Sequence, residues 1–101
     1  MEKLYYNAGI RIRQLREKKH YTREMLAEQA DISTKFLYEI EVGDKGFSAE
    51  TLYKLSEALG VPADYILKGI TVDEKGKIIK ESNKRDELIK ILERIYQLFE
   101  N

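Results

Sequence analysis

Thr34, Lys35, Tyr38 and Glu39 bring a hydroxyl, an ammonium, a phenol and a carboxylate together within six residues. If the segment is helical, Phe36, Leu37 and Ile40 form its inward stripe, and by subtraction these four point outward. Such a set donates and accepts hydrogen bonds, which suits non-covalent recognition of a polar surface. Covalent chemistry has no comparable support. The chain contains no Cys and a single histidine, His20, without a second ligand or a nucleophile beside it. It has no glycine-rich phosphate loop and no carboxylate pair beyond what solvated helices supply. Catalysis, a metal site and a cofactor are therefore not expected.

Charge narrows the kind of partner. The 101 residues carry 18 basic and 18 acidic side chains, a net charge of zero. The signs are nevertheless segregated. From Lys3 to Arg23 there are seven basic residues (Lys3, Arg11, Arg13, Arg16, Lys18, Lys19, Arg23) against one acid, Glu17, whereas residues 24 to 45 carry two basic and six acidic ones. Phosphates respond to the local field, so a neutral chain can still offer a positive face; a solvated helix surface is the other reading of the same pattern. No apolar run approaches the ~18 residues of a membrane span. MEKLYYNAG also lacks the features of a signal peptide, and the missing cysteines suit a reducing compartment. A soluble, cytoplasmic protein with no membrane partner is expected.

Positioning the outward residues requires a set of short helices. Residues 7–18 place Ala8, Ile12 and Leu15 on one face, and His20 suits the left-handed turn that closes the helix. Thr22 caps a second helix with Met25, Leu26 and Ala30 inward and Ala27 small enough for a close crossing. Asp31 breaks it, Ser33 caps a third, and Gly43 ends that one. Ser48 caps a fourth, with Leu52, Leu55, Ala58 and Leu59 inside and Gly60 at its end. Pro62 starts a short fifth containing Tyr65, Ile66 and Leu67, closed by Gly69.

After Gly69 the composition changes. ITVDEKGKIIKESN, within residues 70–83, suits either a small hairpin or an extended linker. Residues 84–101 then hold an amphipathic helix whose stripe is Leu88, Ile91, Leu92, Ile95, Leu98 and Phe99. Such a stripe must be buried, either by folding back on the five-helix unit or by pairing with a second copy. Pairing is favoured, because the five helices look complete without it. An all-α chain follows, with a domain over 1–69, a connector over 70–83 and a dimerisation element over 84–101.

The stretch IRQLREKK-HYT-REMLAEQADIS-TKFLYEIEVG, followed by TLYKLSEALGVPADYIL, resembles the helix-turn-helix of the lambda-repressor and Cro-like (XRE) family over residues 7–68. The anchors are the LR of the first helix, the LA of the second, the IS before the third, the ExG at its end, and the ALGV-x-x-D-Y-I-L run. The resemblance implies a five-helix lambda-repressor-like domain. Its third helix would enter the DNA major groove while the second lies across the backbone, which explains why two such short helices meet at a tight turn. The family usually begins that turn with Gly, where this chain has Asp31.

The resemblance also implies roles for single residues. Thr34 and Lys35 match the leading base-reading positions, Lys35 towards guanine O6 and N7 and Thr34 towards a thymine methyl or a phosphate. Tyr38 and Glu39 match positions one turn on, where Glu39 can accept from cytosine N4. Arg23 stands where the family has Gln and is expected to favour phosphate or guanine. Ser33 would serve as cap and phosphate ligand together, and Lys45 would replace a phosphate contact that Val42 cannot make. Arg16 and Glu41 match the family's ion pair joining the first helix to the end of the third. The expected function is sequence-specific regulation of transcription, a repressor bound to double-stranded DNA as a homodimer on an inverted repeat. The alternative is a protein-interaction module, an antitoxin-like partner or adaptor, whose final helix docks on another protein.

Overall fold

Three hydroxyls start three of the helices. In the computed structural model, which describes residues 2–72, 74–80 and 85–100, Thr22, Ser33 and Ser48 each accept a backbone N–H, from Met25 (3.1 Å), Phe36 (3.0 Å) and Thr51 (3.1 Å). Each cap satisfies a donor that the first turn leaves without a partner, and contributes about 1 kcal/mol. The helices so begun are α2 (Arg23–Gln29), α3 (Thr34–Glu41) and α4 (Ala49–Leu59). Before them runs α1 (Glu2–Lys18), and after them α5 (Ala63–Lys68). Pro62 is the cap residue of α5, its fixed φ of −65° lying ahead of the first helical turn.

The stops are as local as the starts. His20 and Asp31 take left-handed φ values of 60° and 55°, ending α1 and α2. Gly60, at φ 69°, closes α4, and its N–H reaches back to the carbonyls of Ser56 and Glu57. With these ends fixed, Ala8, Ile12, Leu15, Leu26, Ala27, Ala30, Leu37, Ile40, Leu55, Leu59, Val61, Tyr65 and Ile66 meet in one core. α1 packs on α3, α4 and α5, while α2 lies against α3 and α4.

The remainder is a hairpin and a helix. β1 (Ile70–Val72) pairs antiparallel with β2 (Ile78–Lys80), Thr71 opposite Ile79, so the connector is the hairpin rather than an extended linker. α6 (Arg85–Glu100) follows. The described residues thus form a mostly helical fold, five helices followed by a hairpin and a sixth helix. Among the described residues no helix is long and apolar enough to cross a membrane.

Several expectations change. α1 begins five residues earlier than residue 7, because Tyr5 packs edge-on against Phe47 (centroids 5.1 Å apart) and draws the first turn onto the core. Met25 is exposed: α2 is so short that Leu26, Ala27 and Ala30 fill its inner side. The larger change concerns α6. Leu92 is fully buried in the chain's own core and Ile95 is 4 % exposed, so these two stripe residues do not wait for a second copy. Lys19 bonds Glu93 across the seam (3.0 Å), and the Tyr96 hydroxyl donates to Glu57. α6 therefore covers part of the five-helix core, beside the ends of α1 and α4. Ile91, Leu98 and Phe99 stay exposed, while the side chain of Leu88 lies outside the described residues.

This arrangement carries a prediction. Deleting residues 85–101 should destabilise the rest of the chain by about 3–6 kcal/mol, the worth of burying Leu92 and Ile95. Thermal unfolding of the truncated and full chains reads it directly. Equal midpoints would mean that α6 does not contribute to the core.

Candidate nucleic-acid interface

α3 is a helix of eight residues with two contrasting sides. Leu37 and Ile40 are fully buried, and Phe36 packs partly against the same core. On the other side Lys35 and Tyr38 are exposed, with Thr34 and Glu39 half-buried beside them and Ser33 exposed at the cap. Lys45 follows in the loop. Its N–H and that of Asp44 both bond the Glu39 carbonyl (3.2 and 2.9 Å), which folds the loop back onto the end of α3. The structure therefore brings Ser33, Thr34, Lys35, Tyr38, Glu39 and Lys45 to one helix and the loop immediately after it. Val42 is also exposed at its far end.

Behind this face lies a buried carboxylate. The Glu41 side chain is fully buried and accepts from Arg16 through two bonds, Nε to Oε2 (2.7 Å) and Nη2 to Oε1 (3.0 Å). Arg16 uses a further nitrogen on the Tyr21 carbonyl (2.9 Å), so the guanidinium also fixes the turn after α1. The hydrogen bond to Glu41 pushes the Arg16 guanidinium up from its ordinary value, against the opposing effect of burial. Fork-to-fork geometry of this kind sets an angle as well as an energy, because the two planes must align.

Arg23 completes the group and departs from expectation. Its Nε donates to Glu41 Oε1 (2.9 Å), and its guanidinium lies over the Tyr38 ring, 5.1 Å from the centroid. Its Nε is thus committed within the chain, while 31 % of the side chain stays accessible. The cause is the carboxylate itself: one oxygen of Glu41 has a lone pair left after Arg16, and the first residue of α2 is near enough to fill it. One acid therefore joins α1, α2 and α3.

Other basic residues before residue 24 also have partners within the chain. Arg11 is buried and bonds the Ile66 and Leu67 carbonyls at the end of α5 (both 3.2 Å). Arg13 pairs with Glu17 (3.2 Å), and Lys19 with Glu93. Of these, Arg13 keeps more than half of its side chain exposed. Arg11 was recoverable from spacing, since it stands three residues after Ala8 and four before Leu15 and so belongs to the inward stripe.

A second positioning residue gave no signal. At Gly9 an added Cβ would stand 2.2 Å from the Ile40 carbonyl oxygen and 3.0 Å from that of Glu41. α1 thus touches the end of α3 backbone to backbone. Gly9 sets the distance between the two helices and the Arg16–Glu41 pair sets their angle.

Comparisons with known proteins agree with this geometry. The sequence pattern of the helix-turn-helix domain matches residues 9–72. No curated protein sequence matches the chain. Among solved structures, the restriction-modification controller protein C.AhdI from Aeromonas hydrophila is 26% identical, over 61% of this chain and 94% of its own, with a TM-score of 0.60. The N-terminal DNA-binding domain of SinR from Bacillus subtilis is 33% identical over 62% of this chain and 93% of that one, with a TM-score of 0.60. A SinR–SinI complex reaches further, 81% of this chain and 74% of that one, at 29% identity and a TM-score of 0.59. With its capped α3, its tight turn at Asp31 and this match over residues 9–72, the chain belongs to the helix-turn-helix domain family, among the XRE-like DNA-binding regulators.

Proposed function

We propose that the protein is a sequence-specific repressor that binds an inverted-repeat operator as a homodimer, acting in the cytoplasm by occupancy and without catalysis. One observation carries the reading: α3 presents Lys35 and Tyr38 outward while Glu41 anchors its inner side to two other helices. A rigidly held helix of this size matches a major groove and reads a few base pairs. Two copies related by a two-fold axis would read half-sites about one helical turn apart. For the second copy, the exposed part of the α6 stripe, Ile91, Leu98 and Phe99, is the proposed contact. Leu92 and Ile95 act within the chain.

Within the site, Lys35 donates to guanine O6 and N7, and Thr34 contacts a thymine methyl or a phosphate. Glu39 accepts from cytosine N4, and Ser33 and Lys45 hold phosphates at either end of α3. The test is affinity selection from a random duplex library, with the winners bound again across a salt series. An enriched inverted repeat whose affinity falls with salt supports the repressor; a flat pool rejects it. Given an operator, Lys35→Ala should lower affinity by about 1–3 kcal/mol and relax preference at one position of each half-site. A uniform loss across positions would mean that Lys35 meets phosphate instead.

A second reading is favoured by Phe99, which is 84 % exposed beside Leu98 on a helix otherwise fixed to the core. A different protein could occupy that surface, making the chain an interaction module with an adaptor or antitoxin-like partner. The similarity to SinR in complex with SinI supports it. A monomer with no selected duplex would decide for this reading.

A further inference from the structure

The Arg23 guanidinium makes two contacts at once. It is tethered through Nε to the buried Glu41, and its guanidinium carbon lies over the ring of Tyr38, 5.1 Å from the centroid. A residue at the start of α2 thereby holds a side chain that stands on the outward face of α3. Tyr38 is 48 % exposed, so Arg23 shields one part of it and leaves the rest facing outward. An aromatic ring on an open helix surface samples several rotamers. With an anchored guanidinium over it, the ring is restrained before any ligand arrives, and the entropy of ordering it on binding falls. Tyr38 also lies four residues after Thr34 and three after Lys35, on the same face.

We infer that Arg23 is a positioning residue and that Tyr38, held by it, determines specificity by packing its ring against the 5-methyl group of a thymine. This rests on the DNA-binding reading above and adds the base that Tyr38 reads. The chemistry favours the methyl over a phosphate. The Arg23 Nε is committed to a buried carboxylate, and Tyr38 is 48 % exposed, so the pair offers an aromatic ring to whatever α3 meets. In the major groove the apolar feature that distinguishes one base pair from another is the thymine methyl. Contact between the two removes both from water.

The experiment uses the full chain and the operator obtained by selection, with each thymine replaced in turn by uracil, which lacks only that methyl. At one position of each half-site the wild type should lose about fourfold in affinity, the worth of one methyl group taken out of water. Tyr38→Ala should bind more weakly overall and show no difference between thymine and uracil there. Arg23→Met keeps the length of the side chain without its charge, and should reduce the discrimination at that position. Two results would overturn the inference alone: an enriched operator at which uracil equals thymine everywhere, or thymine preference undiminished in Tyr38→Ala and Arg23→Met. A purely structural Arg23 would weaken binding evenly and leave the ratio intact. If no duplex were enriched at all, the DNA-binding reading would fail and this inference with it.

Discussion

Glu41→Gln should destabilise the chain by about 3–5 kcal/mol, as expected when one side of a buried ion pair is removed. For a chain of this size that corresponds to a fall of at least about 12 °C in the melting temperature. The amide keeps the volume of the carboxylate, so packing is little changed. What is lost is the negative charge between Arg16, which is 7 % exposed, and Arg23. Arg16 cannot easily return to water, and most of the cost comes from its side. Arg23 can partly rehydrate, because 31 % of its side chain is accessible, so Arg23→Met should cost less than Arg16→Met. Circular dichroism melts of the three variants give the order. Operator titration well below every midpoint then isolates the second effect, a lower affinity of folded protein whose α3 has lost its fixed angle. A Glu41→Gln chain as stable as wild type would show that the triad contributes no net stability.

The second large effect has an informative sign. Alanine is favoured over glycine inside a helix by about 1 kcal/mol, so Gly9→Ala would stabilise α1 if its surroundings were open. They are not: the new Cβ would meet the Ile40 carbonyl oxygen at 2.2 Å, a backbone atom that can yield only if α3 moves. Overpacking of this kind costs about 1–3 kcal/mol, occasionally more, and outweighs the propensity gain. The variant should therefore be less stable than wild type by up to about 2 kcal/mol and bind its operator less tightly, since the displaced element carries Lys35 and Tyr38. A melting temperature above wild type would refute the backbone contact.

Legibility followed the range of the interaction. Thr22, Ser33 and Ser48 were readable as caps, and His20 and Asp31 as left-handed stops, because each depends on a few neighbouring residues. The outward set on α3 was readable because its inner stripe was. Met25 misled because a helix of seven residues gives its periodicity too few repeats to choose a face. The second role of Arg23 was hidden for a different reason: residue type and family position point towards DNA, whereas its Nε bonds a carboxylate 18 residues away. Gly9 could not be read at all, since a glycine in a helix carries no mark of what approaches it. The stripe of α6 announced burial, but pattern alone does not say whether the covering surface belongs to the same chain.

Arg11, Arg13, Arg16, Lys19 and Arg23 are all held by partners within the chain. The consequence concerns how a regulator shares a chromosome with itself. Adhesion to arbitrary sequence depends on the number of mobile cations that can displace counterions, at a slope of about −0.9 per phosphate neutralised on duplex DNA. Here Arg11 and Arg16 are buried in the architecture, and Arg13, Lys19 and Arg23 each already hold an acidic partner. The chain should therefore be poorly retained by bulk DNA, and little of the population is titrated away by the roughly 10⁶–10⁹ competing sites of a genome. Occupancy of its own site would then track the number of molecules per cell closely, so that a small change in synthesis or degradation becomes a change in promoter output.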